Sequence, residues 1–204
     1  MNLFADAVGW LTAPAHWAGP AGIGARVAEH LLYSALALLL ASLVALPLGL
    51  YVGHTGRLRG LAVAASGALR ALPTLGLLTL LAIGMGLPLE LSIVPSTLVL
   101  AILAVPPLLA GAYAGVEAID PATIDGARAT GLSERQIVAG VELPLAAPML
   151  IGGVRSAVLQ VLATATVSAY LGLGGLGRFL LDGLAIRDFP QMLGGALVVI
   201  ALAL

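Results

Sequence analysis

Apolar residues in this chain come in long unbroken runs, not in the alternation of a half-buried strand or the one-sided spacing of a surface helix. His30–Gly56, Ala71–Leu89, Leu91–Val116 and Ser156–Gly177 contain no Asp, Glu, Lys or Arg. A helix needs about 20 predominantly apolar residues to cross the hydrocarbon of a bilayer, so each run can span it. A fifth run, Phe189–Leu204, meets the end of the sequence, and we expect the natural C-terminus to lie beyond it. The pattern predicts an all-α, polytopic membrane protein of about five transmembrane helices, over roughly 30–53, 61–87, 92–116, 146–171 and 189 onward. Pro73 interrupts the second span; its missing N–H and its ring predict a kink there. Arg70 lies just before that kink. It is either a functional charge at depth or the watery end of a long helix whose side chain snorkels out, the simpler reading.

Polar residues gather at two places. Residues 1–29 carry Trp10, His16 and Trp17 among Gly and Pro. They suit an N-terminal interfacial segment with indoles near the headgroups, ahead of a membrane domain over 30–204. A loosely ordered terminus fits equally well, and a cleaved signal peptide does not, because no basic start precedes an apolar stretch. The second place is the loop 117–145. Asp120-Pro121 is a helix start, with Asp capping free N–H groups and Pro at the position where a missing donor costs nothing. Gly131 suits the left-handed position that closes a helix, and Ser133-x-x-Gln136 is a capping box. Two short helices, 121–130 and 134–142, are therefore predicted outside the membrane, with Leu143-Pro144 turning the chain back toward it. Small residues at Gly126, Ala127 and Ala129 leave a face that a neighbour can approach closely. A plain loop between spans would need neither the caps nor Ile124, Ile137 and Val141.

Composition agrees with membrane residence: 60% apolar, 9% charged, with a mean hydropathy of +1.10. There are no cysteines, which excludes disulfides, Cys–zinc sites and thiol catalysis. There are no lysines either, so the chain has no phosphate-binding Gly-x-x-x-x-Gly-Lys loop and no Schiff-base chemistry. A net charge of −1 leaves no electrostatic footprint for nucleic acid. With five spans, Arg57, Arg59, Arg128 and Arg135 fall on one side and Arg26, Arg178 and Arg187 on the other. The positive-inside rule then makes the 117–145 loop cytoplasmic, and Arg155 adds to that side if it belongs to the inner end of its helix.

Ser156, Gln160, Thr164 and Ser168 recur every four residues on the fourth span, making a polar stripe with Thr166 and Tyr170 nearby. Polar groups in hydrocarbon need partners, so the stripe is a candidate lining for a translocation path, with Gln160 the strongest member. Against this, Ser and Thr in membrane helices often bond their own preceding carbonyls. Gly172-Leu-Gly-Gly-Leu-Gly177 matches Gly-x-Gly-x-x-Gly, but a dinucleotide site needs a preceding strand. It reads instead as a tight turn followed by a charged surface of Arg178, Asp182, Arg187 and Asp188.

The polar loop resembles that of ABC importer permeases, which carry Glu-Ala-Ala-x-x-x-Gly, nine residues, then Ile-x-Leu-Pro. Asp125-Gly126-Ala127, Gly131 and Val141-Glu142-Leu143-Pro144 reproduce every spacing, with Asp for Glu, Gly for the first Ala and Val for Ile. Trp17-Ala18-Gly19-Pro20, Glu29-His30-Leu31, Pro47-Leu48-Gly49, Gly53-His54-x-Gly56, Leu72-Pro73-Thr74 and Gly172–Gly177 resemble the branch importing quaternary-ammonium osmoprotectants: glycine betaine, choline, carnitine and proline betaine. The amino-acid importers, methionine type included, are the competing branch. The resemblance implies a non-enzymatic transport subunit of a bacterial cytoplasmic (inner) membrane. It also implies that Asp125, Gly126, Ala127, Gly131, Val141, Leu143 and Pro144 couple this chain to a cytoplasmic ATP-binding subunit dimer that holds ATP and Mg. No cofactor is then expected in this chain. Implied partners are a second permease, identical or paralogous, and an extracytoplasmic substrate-binding protein, with lipid around the spans. Aromatics are only 4% and do not cluster, so an aromatic cage for a quaternary ammonium is expected on the binding protein. An ion-coupled secondary carrier would want intramembrane carboxylates and internal repeats, for which this sequence offers little. An intramembrane enzyme lacks a defensible ligand set or Ser/His spacing.

Overall fold

Long uncharged runs leave the backbone no partner but itself, and the chain answers with helices. The computed structural model describes residues 2–204, and every regular element among the described residues is helical. In order these are α1 (Leu3–Thr12), α2 (Ile23–Thr55), α3 (Arg59–Arg70), α4 (Thr74–Met85), α5 (Ile93–Glu117), α6 (Pro121–Ala129), α7 (Glu134–Ile137), α8 (Leu143–Thr164), α9 (Gly177–Ile186) and α10 (Phe189–Ala203). Among the described residues, three stretches are long and apolar enough to cross a membrane, Ile23–Thr55, Leu89–Glu117 and Glu134–Leu171, and α3 with α4 make a fourth if the bent pair is taken as one span.

The predicted span 61–87 is not one helix. It is two 12-residue helices bent by 91° at the break between them, and neither alone reaches the ~20 residues a crossing needs. Pro73 is the cause: it sits in extended backbone as the residue ahead of α4 (φ −70°, ψ 116°), and it disfavours helical geometry in the residue before it. Arg70 ends α3 and is exposed. The fifth predicted span is represented by α10, 15 residues long.

α2 inverts the soluble pattern. Leu32, Leu36, Leu39 and Leu43 are 54%, 36%, 59% and 65% exposed, while Tyr33, Ala37, Ala41 and Ala45 are at most 8% exposed. The two stripes recur at helical spacing on different faces. The leucines face outward, where lipid solvates them, and after Tyr33 the inward stripe is all alanine, which lets helix backbones approach closely.

The chain divides into two compact units. The first is Met1–Ala37, Pro73–Ala101 and Leu159–Leu204. Its core holds Ile23, Leu176, Phe179 and Val199, with Trp10, Leu11, Val27, Val198 and Leu202 packed around them. Trp10 stacks on His16 with ring centroids 4.5 Å apart and meets the Phe179 ring edge-on at 5.1 Å. Within this unit α10 packs on both α1 and α9. The glycine-rich stretch is a tight turn with φ of +80° at Gly172 and +84° at Gly175. The Gly175 N–H donates to the Glu29 carboxylate at 2.7 Å, and a Cβ on Gly174 would collide with that carboxylate.

The second unit is Leu38–Leu72 and Ile102–Val158. Its helices meet at glycines. A Cβ on Gly49 of α2 would come within 2.9 Å of the Leu109 carbonyl oxygen of α5, and one on Gly53 within 2.9 Å of that of Tyr113. On α5, a Cβ at Gly111 would lie 2.8 Å from the Gly153 Cα of α8. Backbone-to-backbone approach of this kind is how membrane helices gain dispersion contacts when burial from water supplies no driving force.

Candidate functional site

The polar loop between α5 and α8 folds as its caps dictate. The Asp120 side chain accepts from the Ala122 N–H at 2.9 Å, and Pro121 opens α6. Gly131 takes φ +85° and its N–H donates to the Arg128 carbonyl at 2.9 Å, closing the helix. The Ser133 N–H donates to the Gln136 side-chain oxygen at 2.9 Å, holding the first turn of α7.

At its far end the loop departs from the sequence reading. Leu143-Pro144 makes no turn. Val138–Glu142 is a π-helical segment, and it joins α7 to α8 so that helix runs from Glu134 to Leu171. A proline at 144 cannot donate to the carbonyl four residues back. The wider π turn lies over that position and shifts the register, which lets the helix continue.

The expected coupling residues therefore sit on two elements. Asp125, Gly126 and Ala127 lie on α6, Gly131 beyond its end, Val141 in the π segment, and Leu143 and Pro144 at the start of α8. No residue of α6 is buried, and a Cβ on Gly126 would meet nothing within 4 Å. Ile137 of α7, by contrast, is fully buried. α7 anchors the loop, and α6 lies against it with none of its own residues buried.

Four ionisable side chains that the motif does not include hold the loop. Arg128 of α6 donates to both Glu134 oxygens, at 2.9 Å from Nε and 3.2 Å from Nη2, and its Nη1 lies 3.4 Å from Asp125. The Glu134 hydrogen bonds, more than any other influence, hold the Arg128 guanidinium above its already high ordinary pKa, so it is charged at every working pH. On its other side a Glu134 oxygen lies 3.2 Å from His54 Nε2. His54 Nδ1 lies 2.9 Å from both oxygens of Glu142, whose side chain is 3% exposed. His54 and Glu142 are 88 residues apart, so no local spacing announces the contact. Their positions, within Gly53-His54-x-Gly56 and at the unspecified place of Val-x-Leu-Pro, were the signals available.

The polar stripe on the fourth span is not one surface. Ser156 is exposed and donates to the Gly152 carbonyl at 2.9 Å. Thr164 donates to the Gln160 carbonyl at 2.6 Å, and Gln160 and Thr164 are half-buried. α8 ends at Thr164 and a 3₁₀ segment, Ala165–Leu171, follows. Three residues per turn rotate Ser168, 2% exposed, away from the four-residue spacing. Ser156 and Thr164 bond back to their own helix, as such hydroxyls commonly do.

Of the charged surface after the glycine turn, Arg178 pairs with Asp182 at 3.0 Å, and Asp188 caps α10 by accepting from the Gln191 N–H at 3.0 Å. Beside them, within the first unit, lies an open cleft of about 370 Å³ lined by Trp10, His16, Arg26, Arg178, Asp182 and Gln191.

Comparison with known proteins places the chain. The pattern of the family described as binding-protein-dependent transport system inner membrane components matches residues 45–204. The carnitine transport permease protein OpuCB of Listeria monocytogenes is 30% identical, over 86% of this chain and 79% of its own. The choline transport system permease protein OpuBB of Bacillus subtilis is likewise 30% identical over 86% and 79%. Among solved structures, the MetNI methionine ABC transporter in an inward-facing conformation gives a TM-score of 0.72 at 22% identity, over 87% of this chain and 88% of that one. An amino acid ABC transporter with histidines gives 0.70 at 18%, over 87% and 86%. At those identities the structural likeness speaks to the fold.

Proposed function

Because this chain belongs to the family of binding-protein-dependent transport system inner membrane components, we propose that it serves an importer of quaternary-ammonium osmoprotectants, driven from the cytoplasm through α6. Its own role is that of a membrane-spanning transport subunit. The substrate class rests on relatives named for carnitine and choline transport, together with the motifs shared along the chain. Loop 117–145 faces the cytoplasm on this reading, and α6 docks in a groove of an ATP-binding subunit, which holds ATP and Mg. Helix-in-groove recognition lays one face of a helix into a complementary groove, and Gly126, Ala127 and Ala129 give α6 a face open to close approach. A second permease completes the pathway, and an extracytoplasmic binding protein delivers substrate to the opposite side.

One observation carries the reading. α6 is capped at both ends yet buries none of its residues within its own chain. A nine-residue helix standing alone is only marginally stable in water, because nucleation is costly. A helix fixed by caps and left uncovered is a surface for another protein. The test is co-purification of the solubilised permease with its nucleotide-binding subunit, repeated with α6 blocked by Gly126→Trp. Wild type is expected to bring the subunit down and the variant to lose it. Full-rate solute uptake by the permease alone, with no nucleotide-hydrolysing partner, would overturn the proposal.

A further inference from the structure

Movement imposed on α6 reaches α5 and α8 through the chain itself, because the loop is covalently continuous with both. α2 has no such connection. It packs on α5 at Gly49 and Gly53, and its last turn also reaches the loop itself through the His54 side chain, which lies 2.9 Å from both Glu142 oxygens and 3.2 Å from Glu134. We propose that His54 and Glu142 form the non-covalent link through which a push on α6 is passed to α2, with His54 acting as a positioning residue for transport. The proposal rests on the reading of α6 as the docked helix and adds the route by which its motion spreads.

Burial selects this link over its neighbours. Arg59 of α3 pairs with Glu117 of α5 at 2.9 Å, but those side chains are 61% and 40% exposed, and solvated pairs of that kind hold little. Glu142 is 3% exposed. A buried carboxylate is costly unless partnered, and removing one member of a buried pair is far more disruptive than replacing both. The contact therefore resists parting, as a force-bearing link must. Outward from it, Glu134 lies between His54 and Arg128 of α6; Glu134 and Arg128 are a solvated pair, 54% and 45% exposed, that adds little holding of its own. The chain of polar contacts runs from the exposed helix to the end of α2.

The test uses the assembled importer in proteoliposomes, with radiolabelled glycine betaine, choline and carnitine together as the probe, and reads solute moved per ATP hydrolysed. His54→Leu with Glu142→Leu removes the link while burying no unpaired polar group, so the pair should assemble with the ATP-binding subunit and keep basal hydrolysis. Its uptake per ATP is expected to fall about tenfold or more, the scale of a lost hydrogen bond to a charged group. Glu142→Gln keeps an acceptor for the imidazole and should stay within about threefold of wild type. Uptake per ATP within about twofold of wild type for the leucine pair overturns the link and leaves the docking of α6 intact. If the leucine pair does not assemble, Glu142→Ala against Glu142→Gln decides: a lower ratio for Ala supports the link, and equal ratios overturn it. Failure of the wild-type chain to bind the ATP-binding subunit overturns the docking reading, and the link with it.

Discussion

Replacing Gly111 by alanine should destabilise this protein, although alanine is the better helix former. A Cβ at Gly111 would lie 2.8 Å from the Gly153 Cα and 2.9 Å from the Met149 carbonyl oxygen; one at Gly153 would lie 2.8 Å from the Pro107 carbonyl oxygen. Carbon atoms rest about 3.5–4.0 Å apart, so α5 and α8 would have to part locally by roughly 1 Å. The obstructing atoms are backbone and cannot swing aside. Overpacking of this kind costs about 1–3 kcal/mol, against a helix-propensity gain of about 1 kcal/mol for Gly→Ala. The net change is a loss of about 0–2 kcal/mol.

Gly152 separates the two terms. It is the next residue along α8, and its Cβ would meet nothing within 4 Å, so Gly152→Ala receives the propensity gain alone. The difference between the two variants isolates the packing term, about 1–3 kcal/mol. Thermal unfolding of the detergent-solubilised protein at one fixed scan rate reads that difference as a lower midpoint for Gly111→Ala. Gly111→Ala with Gly153→Ala should cost less than the sum of the singles, since the first substitution already opens the gap that the second needs. A midpoint for Gly111→Ala equal to or above that of Gly152→Ala would refute the reasoning. The site matters beyond stability, because α5 and α8 are the two roots of the loop that carries α6.

Three further outcomes are expected. Gly126→Ala should leave membrane accumulation and partner binding unchanged and stabilise α6 by about 0.5–1 kcal/mol, because its Cβ enters open space; a loss of folded protein would contradict this. Gly131→Pro cannot adopt φ +85° and loses the N–H bond to Arg128. The protein should still reach the membrane, while transport-coupled ATP hydrolysis disappears; normal uptake by that variant would refute the assignment. Gly174→Ala should displace the Glu29 carboxylate and break its bond from Gly175, lowering the thermal midpoint. Gly174→Ala with Glu29→Ala should recover part of that loss, and an unchanged midpoint in the single variant would show that the turn tolerates a side chain.

What could be read in the chain was what lies close together in it. The uncharged runs became helices, and Asp120, Gly131 and Gln136 each play the capping part their identity suggests, since a cap is a bond between near neighbours. Register was harder. Pro73 breaks its helix outright, whereas Pro144, an equally strong breaker, is absorbed because the π segment before it supplies slack. Which prolines end a helix depends on whether a register shift is available, and that depends on what the surrounding turns pack against. The stripe from Ser156 to Ser168 runs from exposed to buried, and the helix changes pitch within it, at Ala165.

Pairing across the chain was the least legible of all. His54 and Glu142 each look ordinary in sequence, one at the end of an apolar run and the other at the unspecified place of a short motif. Only packing brings them within 2.9 Å and buries the carboxylate. Glu142 lies between Val141 and Leu143, where an apolar residue would bury at no electrostatic cost, so the carboxylate stands there against the local preference. The motif residues around it need no distant partner to take up their places, but this carboxylate does. If the spacing of the motif positions the surface that a partner grips, Glu142 settles what that surface is fastened to within the membrane.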